Sequence, residues 1–167
     1  MTETEVPYTV GEMAETAEKT PMLLNGDREK LADYIWSLAQ LMGMHDWRIK
    51  LADDPPPAHP GGDMRPGGFC DVVYGRKYAV IQLAEEWATF EGWELREIIC
   101  HELCHCHFAP VQWHVNDAAK CMTQREWEMF DSGFTDQMEL HIDGISTAWA
   151  RLLPLPIRDD VPAEEAA

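Results

Sequence analysis

The feature that most constrains this chain is the pentapeptide HELCH at residues 101–105, which lies within a segment of helical periodicity. Residues four apart on an α-helix lie one above the other on the same face, so His101 and His105 present two imidazoles about one turn apart. The chain must therefore form a helix with two metal-ligand side chains on one face and apolar residues on another.

Hydrophobic spacing and breaker residues predict the other elements. We expect a first helix that starts at Asp27 and ends near Gly43, followed by a strand over 47–51 and a Pro- and Gly-rich loop over 53–68. A hairpin of strands 70–74 and 78–83 comes next. The HELCH helix is expected over 93–108, where Pro110 stops it, and a last helix over 127–152 is expected to be broken near Gly133. This order predicts an α+β fold in which a small antiparallel hairpin packs on the HELCH helix, between N- and C-terminal helices.

The length of 167 residues fits one domain. We predict a flexible acidic segment over 1–24, a domain over 25–156 and an acidic tail over 157–167.

The HELCH motif has the residues that metal-assisted hydrolysis requires. His101 and His105 are predicted ligands of Zn²⁺, and Glu102 is offset by about 100° around the helix, which suits contact with water rather than with the ion. Zinc lowers the pKa of a bound water, and a nearby carboxylate can take its proton as the water attacks a carbonyl. Glu102 is therefore the predicted general base. Phe108 and Val111 exclude the longer HExxHxxGxxH motif.

A catalytic zinc site needs a third protein ligand and an open position for water. Glu139 and Asp143 are four apart on the last predicted helix and share a face. We expect Glu139 to bind the metal and Asp143 to accept the second N–H of a ligand histidine. His114 and His141 are alternative third ligands, but His141 points about 200° away from Glu139 on one helix, so both cannot serve one ion.

HELCH followed by a helical ExxxD at 139–143 resembles the gluzincin branch of zinc metallopeptidases. The end of the chain, through Leu152-Leu153-Pro154, is similar to the ImmA/IrrE-type peptidase domain. The order MHDWRIKLADDPPP, hairpin, REIICHELCHCHFAP is similar to small metallopeptidases carried by actinobacterial phages. This resemblance covers roughly residues 27–154, and it implies a compact zincin-like α+β fold and peptide hydrolysis. The implied site residues are His101, His105 and Glu139 as zinc ligands, Glu102 as general base and Asp143 as the partner of a ligand histidine.

The chain has five cysteines, an odd number, and three of them lie within seven residues of one predicted helix. We expect reduced thiols, because cysteines on one helix cannot easily bridge each other. Cys100, Cys104 and His107 fall on one side of that helix, and with Cys70 or Cys121 they could form a separate structural zinc site. The alternative is that these cysteines are small buried apolar residues.

The formal net charge of −17 excludes most nucleic-acid partners, because such a surface repels phosphate. No apolar run reaches the roughly 18–20 residues of a membrane span, and the acidic N-terminus does not have the pattern of a signal peptide. We therefore expect a cytoplasmic protein that acts on a peptide or protein substrate, without nucleic-acid or membrane partners.

A second hypothesis follows from the same charge and from the cysteine-rich helix. The chain could be a non-catalytic, zinc-stabilised acidic binding or inhibitor protein. A metal site closed by four protein ligands, including Cys100 or Cys104, favours this hypothesis. Three ligands with an open position favour the enzyme.

Overall fold

The computed structural model describes residues 27–58 and 67–156, in which three helices and a three-stranded mixed sheet form an α+β fold. The predicted α+β class is confirmed, while the zincin-like fold stays a prediction. Three predicted segments lie wholly or partly outside the described residues: the N-terminal segment 1–24, residues 59–66 of the 53–68 loop, and the tail 157–167. In chain order the elements are α1 (Arg28–Leu41), β1 (Arg48–Leu51), β2 (Gly68–Val73), β3 (Tyr78–Leu83), α2 (Gly92–Ala118) and α3 (Gln124–Ala150).

Helix α1 starts as predicted. The Asp27 carboxylate accepts hydrogen bonds from the backbone N–H groups of Glu29 and Lys30, at 3.0 and 3.3 Å, which satisfies donors that have no partner within the helix. The helix ends before Gly43, whose φ of +81° is a left-handed conformation that glycine adopts without strain. The buried face of the helix consists of Leu31, Tyr34, Ile35, Leu38 and Ala39.

The sheet has the strand order β1-β3-β2. β3 is central and buries Ala79, Ile81 and Leu83 on one face, as the period of two predicts. β2 runs antiparallel to β3 and β1 runs parallel to it, so the predicted strand and hairpin are both confirmed. The second edge of β2 pairs with no strand among the described residues.

Helix α2 is longer than predicted. It runs from Gly92 to Ala118, so the prediction that Pro110 ends it is wrong. A proline inside a helix leaves the carbonyl four residues before it, that of Cys106, without its usual N–H partner and costs about 3 kcal/mol. Helix α3 packs against α2 elsewhere along its length.

Helix α3 is also continuous, and the predicted break near Gly133 is absent. It begins with a capping box, in which Thr123 and Glu126 satisfy each other's backbone N–H groups. Met138, Ile142 and Ser146 form its buried face, and Ile142 has no exposed surface.

Two hydrogen bonds anchor the chain just after α3. The Tyr34 hydroxyl on α1 donates to the Pro154 carbonyl at 2.8 Å, and the Arg96 guanidinium on α2 donates to the Leu153 carbonyl at 2.7 Å. These bonds join all three helices at one end. They restrict how far α3 can slide along α2.

We predict that Pro110→Ala stabilises the protein. Alanine restores the N–H donor to an already formed helix, so the free energy of unfolding should rise by about 1–3 kcal/mol. Chemical denaturation measures this change. The control is Pro57→Ala, because Pro57 is exposed and lies outside every helix and strand. A Pro110→Ala variant no more stable than the wild type would contradict the continuous helix.

Candidate metal centre

His101 and His105 lie on the face of α2 that meets α3. Their Nε2 atoms are 3.2 Å apart. Glu139 on α3 reaches the same point, with its Oε2 atom 3.3 Å from Nε2 of His101 and 3.8 Å from Nε2 of His105. Three side chains from two helices therefore direct one ligand atom each to a common centre.

The spacing of these three atoms suits a small metal ion. Ligand atoms about 2.0–2.1 Å from a tetrahedral ion are about 3.3 Å from each other. The three observed separations are close to this value, and all three atoms lie within 4.8 Å of one another. His101, His105 and Glu139 could therefore hold a metal ion, and no second group of three such residues occurs in ranges 27–58 and 67–156.

Asp143 lies one turn beyond Glu139 on α3. Its Oδ1 atom is 2.9 Å from Nδ1 of His101 and accepts the proton that this nitrogen carries. With Nδ1 protonated, the neutral ring keeps the lone pair on Nε2, which is the atom that faces Glu139 and His105. The structure thus brings Asp143 to the position that the sequence predicted.

The two alternative third ligands lie elsewhere. His141 is exposed, and its Nδ1 atom is 2.6 Å from the Gln137 carbonyl on the same helix. His114 is exposed as well and contacts the ring of Trp113. Glu139 is therefore the side chain that completes the group.

The cysteines form no second metal group among the described residues. Cys100 and Cys104 are buried in the hydrophobic core, and His107 packs edge-on against Trp149. The thiols of Cys70 on β2 and Cys106 on α2 are in hydrogen-bond contact, with their sulfur atoms 3.9 Å apart. All five cysteines are free thiols.

Glu102 is buried beside this group, with 5% of its surface exposed. No described residue hydrogen-bonds its carboxylate. Burial raises the pKa of Glu102 to about 7; His101 lowers the pKa and Glu139 raises it, both by smaller amounts. A carboxyl group of this kind can accept a proton near neutral pH.

The two histidines differ in their affinity for a proton. Burial disfavours a charge on His101, but the hydrogen bond with Glu139 and the charges of Glu102 and Asp143 more than offset this, so the pKa of His101 is raised. Burial lowers the pKa of His105, and His101 lowers it further. The bond to His101 lowers the pKa of Glu139. His105 and Glu139 are thus favoured in the deprotonated forms that bind metals.

The group opens into a cleft of about 900 Å³ between β2, α2 and α3. Several of the lining residues were not predicted from the sequence. Gln112 and Asn116 line it from the last turns of α2, and the Thr147 hydroxyl donates to Oε1 of Glu97 at 2.5 Å across the two helices. Gly68 lines it from β2.

Helical periodicity could have identified two of these residues. Gln112 and Asn116 follow His105 at intervals of seven and eleven, which keeps them on one face. That stripe is visible only when the helix is allowed to pass Pro110. The position of Gly68 depends on tertiary packing, for which the sequence has no local signal.

No family model matches this chain, and neither a curated protein sequence nor a solved structure is similar to it. The resemblance to gluzincins therefore stays a prediction. Among the described residues, no helix has the length and apolarity needed to cross a membrane.

We predict that metal affinity depends on the three converging side chains. His101→Ala or Glu139→Ala should abolish stoichiometric Zn²⁺ binding, and Asp143→Asn should weaken it by roughly 10–100-fold, because the His101 ring loses its charged acceptor. Competition with a chromophoric chelator measures these affinities. His141→Ala is the matched control and should bind as the wild type does. Loss of binding in that control, with retention in Glu139→Ala, would contradict the assignment.

We also predict a pH-dependent effect of Glu102 on the metal-free protein. Its pKa is about 7 in the folded protein against an ordinary 4.5, so folding favours the protonated form. As the pH rises from about 4.5 to about 7, the charged Glu102 carboxylate therefore destabilises the folded state progressively. Above about pH 7 this loss of stability stays constant. Glu102→Gln removes the charge and should raise the free energy of unfolding by roughly 2–3 kcal/mol at about pH 8, but not below about pH 4.5.

Denaturant titrations at the two pH values, in the presence of a chelator, measure this difference. Glu128→Gln is the control, because Glu128 is exposed on α3. Equal effects of Glu102→Gln at both pH values would contradict the pKa of the buried carboxyl.

Proposed function

We propose that this protein is a zinc-dependent metallopeptidase of the gluzincin type. One observation carries the proposal: His101, His105 and Glu139 converge at the floor of an open cleft, and the buried Glu102 carboxyl lies next to them. A site that only binds a metal ion does not need a buried carboxyl group beside it. Hydrolysis needs a base beside the metal.

The donor set favours zinc. Two imidazole nitrogens and one glutamate oxygen form one of the ligand sets of catalytic zinc, which leaves a position open for water. When bound here, zinc would polarise the scissile carbonyl and acidify the attacking water. Asp143 would hold the His101 ring in the orientation that the structure has.

Glu102 would move the proton. Its carboxylate accepts a proton from the water whose oxygen forms the new bond to the peptide carbonyl carbon. The protonated Glu102 then donates this proton to the amide nitrogen as the C–N bond breaks, and the products are a carboxylic acid and an amine, which become a carboxylate and an ammonium ion by proton exchange at neutral pH. A pKa raised by burial suits a group that must both accept and donate within one cycle.

The cleft suits an extended peptide. β2 lines one side of it, and the second edge of this strand offers backbone N–H and C=O groups that no described strand uses. A substrate segment could add to this edge as a further strand, so that backbone hydrogen bonds hold it across the metal centre. Because these hydrogen bonds involve only the substrate backbone, this mode of binding places few restrictions on the amino-acid sequence of the substrate.

The alternative, a zinc-stabilised binding protein, is less well supported. It needs a closed shell with a cysteine ligand, but Cys100 and Cys104 are in the hydrophobic core. The resemblance of HELCH and the 139–143 ExxxD to gluzincins, to the ImmA/IrrE-type domain and to phage metallopeptidases also supports the peptidase. A cytoplasmic location is part of the same proposal.

We predict that Glu102→Gln retains zinc and loses hydrolysis. The amide cannot take a proton from water, so kcat/KM should fall by roughly 10²–10⁴-fold, while the zinc content stays at one ion per chain. A library of quenched fluorescent peptides measures turnover, and elemental analysis measures zinc. Glu128→Gln, on the exposed face of α3, should resemble the wild type.

Two results would contradict the proposal. One is turnover by Glu102→Gln at the wild-type rate. The other is a zinc-loaded wild-type protein that cleaves neither the library nor an unstructured protein such as casein.

A further inference from the structure

Gly68, the first residue of β2, lies directly against the general base that we propose. A Cβ atom built on Gly68 would be 2.6 Å from Oε1 of Glu102 and 2.8 Å from its Cγ. It would also be 2.9 Å from Cγ2 of Ile98, one turn earlier on α2. Real Cβ atoms do not approach other heavy atoms this closely, so any other residue here would force Glu102 or Ile98 to move.

The backbone does not explain the glycine. Of the described glycines, Gly43 has a positive φ and Gly68 does not. A glycine in a strand with ordinary backbone angles weakens the strand, because it adds flexibility and packs no side chain. Gly68 thus weakens the strand locally, and its lack of a side chain leaves space for the side chains of Glu102 and Ile98.

The other glycines show that this contact is specific. Gly75, Gly133 and Gly144 have nothing within 4 Å of a built Cβ. A Cβ on Gly67 would meet only Ile98, and its nearest contact would be Cδ1 at 3.1 Å, which is the end of a flexible side chain. The crowding at Gly68 instead involves two atoms of the Glu102 side chain, and one of them, Cγ, lies close to the Glu102 backbone.

We infer that Gly68 is a positioning residue for Glu102: the missing side chain forms the slot in which the carboxylate lies beside the metal-binding group. Glu102 has no hydrogen bond from the described residues to hold it, so packing sets its position. Gly68 on one side and α2 on the other leave its side chain little freedom. The consequence for catalysis rests on the proposed function, whereas the packing contact does not.

The kinetic test compares Gly68→Ala with Gly75→Ala. The added methyl should displace the Glu102 carboxylate and lower kcat on the order of 100-fold, since a displacement of about 1 Å has effects of this size. The Zn²⁺ affinity and KM should change little, because His101, His105 and Glu139 are not displaced. Gly75→Ala is the matched control and should have wild-type kcat. Wild-type kcat in Gly68→Ala, or a loss of zinc affinity equal to the loss of kcat, would overturn the inference.

A melting-temperature cycle tests the contact without any activity. In the metal-free protein, Gly68→Ala should lower Tm by roughly 4–8 °C through overpacking. In a Glu102→Ala background the same change should cost less than half as much, because the two closest of the three clashing atoms belong to Glu102 and only Cγ2 of Ile98 remains. Equal losses in both backgrounds would overturn the inference. If Gly68→Ala does not fold, the cycle is run in an Ile98→Ala background, which removes the contact with Cγ2 and keeps that with Glu102.

The two tests separate the proposals. A wild-type protein without hydrolase activity would refute the proposed function, while the melting cycle would still decide whether Gly68 shapes the slot. An active wild-type enzyme with an unaffected Gly68→Ala variant would refute the role of Gly68 alone.

Discussion

The packing of α3 against α2 is the interaction on which the metal centre depends. His101 and His105 come from α2 and Glu139 comes from α3, so the three ligand atoms meet only while the two helices keep their register. Ile142 on α3 has no exposed surface, and burial of a side chain of that size contributes roughly 2–3 kcal/mol. The bonds from Arg96 and Tyr34 to the residues after α3 hold the far end of the pair.

The same packing concentrates negative charge. Glu102, Glu139 and Asp143 lie around two histidines, in a chain whose formal net charge is −17. Burial, with a smaller contribution from Glu139, raises the pKa of Glu102, and the neighbouring carboxylates raise the pKa of His101 against the effect of burial. A divalent ion would neutralise the centre more completely, so metal binding and folding should reinforce each other.

Local pattern was sufficient to predict much of this arrangement. The Asp27 cap, the strand at 47–51 and the four-residue spacings in 101–105 and 139–143 depend on near neighbours in the sequence, and the structure agrees with each of them. Helix geometry showed only that Glu139 and His141 cannot both serve one ion; Glu139 was preferred because Asp143 then has a role.

The features that local pattern missed depend on tertiary packing. Pro110 would break an isolated helix, but α2 continues past it, and the extra turns bring Gln112 and Asn116 to the cleft. Gly68 was assigned to the end of a loop. Its role is visible only when β2 lies against α2, since the atoms it must avoid belong to residues far along the chain.

X-ray absorption at the zinc edge of the loaded protein tests the central claim most directly. The account predicts only nitrogen and oxygen ligands at about 2.0–2.1 Å, with the scattering of two imidazoles and room for one water. It also predicts that Glu139→Ala does not load one zinc ion per chain and that the spectrum of loaded His141→Ala equals that of the wild type. A sulfur ligand at about 2.3 Å, or a third imidazole in place of the carboxylate, would contradict the account.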